Sequence, residues 1–178
     1  MNTATKNYID SLDRRSIPWN RMFTAYGTAD HYNELLSVLE ETADEVLWKK
    51  TFTRISDFEH QSTMFPPAPF VLVFLVRILQ KHLQDGSPDE IAKILIGQLS
   101  YYTDVCNAAE YIEHAQPLDH FWNLLDDNNL LPEDCTEEEL DEVFENPDMV
   151  SDELFYSFYY YSKIVLSQVP DILKTSLS

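Results

Sequence analysis

His60 is the residue whose neighbours most invite a chemical reading. The run Ser56-Asp57-Phe58-Glu59-His60-Gln61-Ser62-Thr63 puts an imidazole, two carboxylates and several hydroxyls within one short segment. General-base catalysis would have His60 take a proton from a nucleophile such as Ser62, with an oxyanion donor close by. Adjacency along a chain does not make a triad, however, and His31, His82, His114 and His120 are scattered. Glu110 and His114 have the i, i+4 spacing of a helical ligand pair but lack a third partner. Cys106 and Cys135 form no CxxC, and the chain's three glycines build no phosphate-cradling loop. The sequence therefore predicts no catalytic residue, no cofactor and no metal. His60 and Gln61 are read as architecture, satisfying the last carbonyls of a preceding helix or the amides of their own loop.

The elements that must hold these residues read as helices. Residues 3 to 14 suit a short first helix. A second, 31 to 41 and capped by Thr28 or Asp30, carries Tyr32, Leu35, Leu36 and Leu39 on one face. A third, 43 to 55, has Val46, Trp48, Phe52 and Ile55 at nearly the same spacing, and the short link between the two implies an antiparallel pair. Prolines at 66, 67 and 69 introduce an apolar fourth helix to residue 83, which must be covered on more than one side. Ser87 is read as the cap of a long helix from 88 to 113, with Ile91, Ile94, Leu95, Leu99, Tyr102, Val105 and Ala109 along its stripe. A short helix is expected over 116 to 127. Another follows a Thr136–Glu139 capping box, and a last one runs from Ser151 or Asp152 to Pro170. No segment reads as a strand, and scarce glycine argues against tight hairpins. The expectation is one all-α domain of stacked antiparallel helix pairs, an α-solenoid or α-α superhelix, over residues 1–178.

Five separated elements carry a resemblance: Trp19, the turn Ala25-Tyr26-Gly27-Thr28-Ala29, a Leu-rich helix pair, His60-Gln61 and the apolar helix after it. In this order, over roughly residues 17 to 83, the chain resembles a group of bacterial HEAT-like helical-repeat proteins, some of which look like immunity or accessory proteins of toxin systems. Ser62 stands where a glycine is usual after His-Gln, and no proline follows Asp30. Beside the resemblance, Gly27 can take φ > 0 to turn the chain sharply, and Trp19 and Tyr26 suit the closing of an open end of the helix stack.

The formal net charge of −19 sits almost wholly in the second half. Residues 1–83 carry nine Lys/Arg against ten Asp/Glu, whereas residues 84–178 carry three against twenty-one. Such a field disfavours nucleic acid and attracts a basic protein from a distance. Between Asp126 and Glu153 there are thirteen acidic residues and no Lys or Arg, so internal pairing is expected to be incomplete. One reading is a solvated face kept soluble by repulsion; the other is a docking surface. In the helix that follows, Leu154, Phe158, Tyr161 and Val165 fill one buried stripe. Phe155, Tyr156, Tyr159 and Tyr160 then either edge the core or form an aromatic anchor.

The functional expectation is a protein-binding module, an immunity-type inhibitor that occludes a basic bacterial toxin. Its carboxylates would be Asp126, Asp127, Glu137, Glu138, Glu139, Asp141 and Glu142, with Tyr156, Tyr159 and Tyr160 as anchors. The alternative is a helical-repeat scaffold or regulator with no toxin partner. No leader-like n-region opens the chain, no apolar run approaches membrane-spanning length, and two thiols suit a reducing cytoplasm, though a lone disulfide is also compatible.

Overall fold

The computed structural model describes residues 1–83, 89–108, 115–145 and 150–176. Its centre is the apolar helix α4 (Ala68–His82), which Pro67 and Pro69 start where missing amide donors do no harm. Every side chain from Ala68 to Val76 is buried, as are Ile78 and Leu79. Each such burial contributes about 1.5–3 kcal/mol for a large apolar side chain, so coverage on several sides is required. The cover comes from α2 (Tyr32–Glu41), α5 (Glu90–Asn107) and α7 (Asp152–Leu166). One continuous apolar cluster runs from Ile9 to Leu166, joining the near-neutral front to the acidic second half.

The helix α3 (Glu45–Ile55) packs beside α2, and the indole nitrogen of Trp48 donates to the Leu39 carbonyl at 3.2 Å. Its buried face uses Trp48, Thr51, Phe52 and Ile55; Val46, expected there, is 78% exposed because at 3.6 residues per turn it lies on the opposite side of the helix from that stripe. The first helix, α1 (Thr3–Ser11), ends earlier than expected. Its last carbonyls are taken up by Arg77 of α4, whose guanidinium donates to Leu12 at 2.8 Å and Ile9 at 2.6 Å. Burial lowers the affinity of that guanidinium for its proton, and the ring of Phe74 lies 5.1 Å beneath it.

Several boundaries differ from expectation for local reasons. No side chain caps α2, which opens at His31. The α5 cap is Asp89, whose carboxylate accepts from the Ala92 amide at 2.8 Å; Ser87, Ala109, Glu110 and His114 lie outside the described residues. Residues 116–127 give a 3-10 turn at Phe121–Leu125 rather than an α-helix, and a second 3-10 turn at Asp127–Asn129 follows it. The capped acidic helix forms as α6 (Glu137–Glu145), and a helix not expected from the sequence, α8 (Val169–Ser176), follows α7 with Pro170 in its first turn.

The larger correction is that strands exist. Two antiparallel hairpins, β1 (Phe23–Thr24) with β2 (Gly27–Thr28) and β3 (Glu59–His60) with β4 (Thr63–Met64), each turn in two residues. The first turns on Ala25 and Tyr26, with Gly27 at φ 145° opening β2. The second turns on Gln61 (φ 50°) and Ser62 (φ 64°), the double left-handed geometry of a primed turn, here without glycine. Tyr26 and His60 therefore sit on hairpins: Tyr26 closes no helix stack, and His60 caps no helix.

Candidate functional site

The hairpins are held side by side by Asp57. Its carboxylate accepts from the Thr24 hydroxyl at 2.8 Å and from the Tyr32 hydroxyl, and its carbonyl accepts from the Ala25 amide at 3.0 Å. Burial, reinforced by Asp57, pushes the Tyr32 phenol far above its ordinary range. Glu59 locks the second turn, accepting from the Ser62 amide at 2.8 Å and from the Tyr101 hydroxyl at 3.1 Å. Partial burial and then Glu59 raise the Tyr101 phenol.

This scaffold projects Tyr26 into solvent at 74% exposure, with its hydroxyl 3.1 Å from His60 Nδ1 and the two rings 5.2 Å apart. The partner of His60 is thus a phenol, and the amide of Ser62 is engaged by Glu59 instead. Gln61 takes the first left-handed position of the turn. Trp19, in contrast, is buried among Tyr32, Phe70 and Phe74, and its indole nitrogen donates to the Arg14 carbonyl at 2.8 Å.

The acidic residues separate by what they meet. Asp126 accepts from the Asn123 side chain at 2.8 Å. Asp127 pairs at 2.7 Å with Arg21, which also donates to the Leu131 carbonyl at 2.6 Å; the cation missing from the acidic half comes from the front. Glu139 completes the capping box, accepting from the Thr136 amide at 2.8 Å, and those hydrogen bonds hold its carboxyl below the usual range. Glu138, Asp141 and Glu142 are exposed on α6, and none is in an ion pair among the described residues. The Glu137 side chain lies outside what is described.

The tyrosines separate as well. Tyr159 is 2% exposed and belongs to the core, donating to the Ser62 carbonyl at 3.0 Å and accepting from the Met64 amide at 3.1 Å; it cannot anchor a partner. Tyr156 is half-buried and 6.0 Å from the exposed ring of Tyr160. Tyr160 lines a cleft with the chain's first residues, Pro117 and Asp119, whereas the α6 residues Leu140 and Asp141 line another with Tyr26. That second cleft, of about 600 Å³, is completed by Ala25, Gly27, Thr28, Cys135 and Thr136. Tyr26 is therefore the exposed aromatic side chain that shares a cleft with Leu140 and Asp141, whereas Val143 of the same helix faces Phe23, Phe65, Phe155 and Phe158. The signal in the sequence is the Gly27 that follows Tyr26 and opens the returning strand.

Both cysteines are free thiols. Burial pushes Cys106 up to about 12 against the pull of Lys163. Burial, Glu139 and Asp134 together raise Cys135. Among the described residues no three His, Cys, Asp or Glu side chains are grouped to hold a metal ion, and no helix is long and apolar enough to cross a membrane. Comparison with protein-family models, curated proteins and solved structures finds no match for this chain.

Proposed function

We propose that this chain is a protein-binding module that captures a basic partner, acting in the cytoplasm as an immunity-type inhibitor that occludes a bacterial toxin domain. The observation that carries this reading is the set of carboxylates Glu138, Asp141 and Glu142, in no ion pair among the described residues and exposed on a capped helix, Asp141 sharing a cleft with the projecting ring of Tyr26. The field of the acidic half steers a cationic surface toward α6 and raises the rate of encounter. Exposed ion pairs then contribute only up to about 1 kcal/mol each, so an aromatic contact is needed to hold the complex. Tyr26 supplies it, with Tyr156 and Tyr160 on a separate face. The paired helices α2 and α3 support a HEAT-like frame, while the packing of α7 on α4 departs from a stack in which each repeat touches only its neighbours.

The test is capture on the immobilised chain at low and then high salt, with bound proteins identified and assayed for toxicity. A basic toxin domain released by salt and inhibited by this chain supports the reading. Retention of partners that are not basic, or none, replaces it with the scaffold role.

A further inference from the structure

The cleft between the first hairpin and α6 is lined by an aromatic ring and a carboxylate. The Tyr26 ring is held against His60, by its hydroxyl at 3.1 Å and by a T-shaped ring contact at 5.2 Å, and is otherwise in solvent. Asp141 sits in the second turn of a helix whose start is fixed by the Thr136–Glu139 box. Ala25 and Gly27, on either side of Tyr26 in the hairpin, also line the cleft with small surfaces, and around the site of a Gly27 Cβ there is no atom within 4 Å. Leu140 adds an apolar strip, and no Lys or Arg among the described residues pairs with Asp141.

We infer that this cleft is a receptor for one arginine side chain of the basic partner, its guanidinium stacked on Tyr26 and paired with Asp141. This rests on the capture reading above and names the contact through which capture becomes specific. Charge complementarity selects a cation, since residues 84–178 hold three Lys against twenty-one Asp/Glu. Geometry selects arginine over lysine. A planar, weakly hydrated guanidinium can lie on a ring face and still present two N–H groups to a carboxylate, whereas an ammonium keeps its water and binds as a point charge. The arginine stem fits along Leu140, and the volume of about 600 Å³ leaves room for the backbone that carries it. Because α6 places the Asp141 backbone and His60 holds the Tyr26 ring, the ordering that opposes binding is reduced.

The experiment titrates Nα-acetyl-arginine amide, and separately Nα-acetyl-lysine amide, into the isotope-labelled full chain and follows backbone amide signals. Saturating shifts confined to Tyr26, Gly27, Thr28, Thr136 and Asp141 are expected, stronger for the arginine probe. Tyr26→Leu and Asp141→Asn should each weaken binding roughly fivefold or more. Tyr26→Phe, which keeps the ring face and loses the His60 contact, should bind more tightly than Tyr26→Leu. Shifts that spread over every acidic residue without saturating, or equal responses to both probes, overturn the inference. So does unchanged binding in the Tyr26→Leu and Asp141→Asn variants whose remaining signals show an intact fold. A basic protein that binds Tyr26→Leu as well as the parent removes the cleft and leaves capture standing. A seated arginine probe with no basic protein partner does the reverse.

Discussion

Tyr159 bridges two polar groups of Ser62 and its hairpin: its hydroxyl donates to the Ser62 carbonyl at 3.0 Å while accepting from the Met64 amide at 3.1 Å. The Ser62 carbonyl and the Met64 amide lie at the closed side of the β3–β4 turn, and Met64 is fully buried. Both groups point away from β3, since Glu59 and Met64 form a non-hydrogen-bonded pair, so a helix 95 residues away supplies the bond that a third strand would otherwise supply. Tyr159→Phe removes the hydroxyl and leaves a buried N–H and a carbonyl unpaired, a loss of about 1–3 kcal/mol. Chemical denaturation should show that loss. Tyr160→Phe, at an exposed ring without such a bond, should fall within about 0.5 kcal/mol of the parent. Equal effects at both positions would contradict the division into core and surface tyrosines.

Ser62 at φ 64° occupies a conformation that L side chains enter at a cost of roughly 1–2 kcal/mol. Glycine removes that cost but loses more entropy on folding, by about 0.5–1 kcal/mol. Ser62→Gly is therefore expected to stabilise the chain slightly, raising the thermal midpoint. Gly27→Ala has the opposite sign, because alanine at φ 145° is strained even though nothing occupies the space of its Cβ. Thermal unfolding of the two single variants checks both signs. A Ser62→Gly variant that unfolds earlier would mean the serine side chain contributes more than its turn geometry shows.

Asp89 links pH to the start of α5. Burial works to raise its carboxyl, but the Ala92 amide and His82, the latter at 2.6 Å, more than offset this, and it lies below its ordinary value of 3.8. A depressed folded value means that the contribution is fully present above the unfolded value and is lost as the pH falls through the folded one. The difference in stability between the parent and Asp89→Asn should therefore be constant near neutrality. It should shrink only as the pH drops below about 3.8, toward zero. Comparing the two chains cancels the general relief of repulsion among the other carboxylates. A difference already lost well above about 3.8 would contradict a depressed Asp89 carboxyl.

The helices were legible because burial repeats every three to four residues and because caps such as Thr136–Glu139 announce a start. The hairpins were not, since strands of two residues have no period to read. Gln61-Ser62 also lacks the Asn-Gly signature of the turn it makes. A helical wheel places Tyr156, Tyr159 and Tyr160 on the edges of α7 alike. Only the arrival of the β3–β4 hairpin decides that Tyr159 is core. The expectation that acidic residues would meet these tyrosines failed for the same reason: which elements flank α6 depends on contacts across the chain. The sequence marks Tyr26 as a turn residue, and its place on a hairpin tip in a cleft with Asp141 is a tertiary fact.

Arg21 shows how far such long-range contacts reach. Its guanidinium meets Asp127 at 2.7 Å and the Leu131 carbonyl at 2.6 Å, and its own carbonyl accepts from the Leu131 amide at 2.9 Å, so the start of the acidic half is clipped to the front. The Arg21 side chain is 14% exposed and that of Asp127 is 90% exposed. The ion pair lies largely in water and contributes at most about 1 kcal/mol, whereas the charge-assisted bond to the carbonyl is shielded and contributes about 1.5–3 kcal/mol. Arg21→Gln should therefore destabilise the chain several times more than Asp127→Asn. High salt should erase the small effect of Asp127→Asn and leave that of Arg21→Gln nearly intact. Denaturation of both variants at low and high ionic strength checks the ranking. Equal losses that vanish together in salt would show that the clip is held by charge alone.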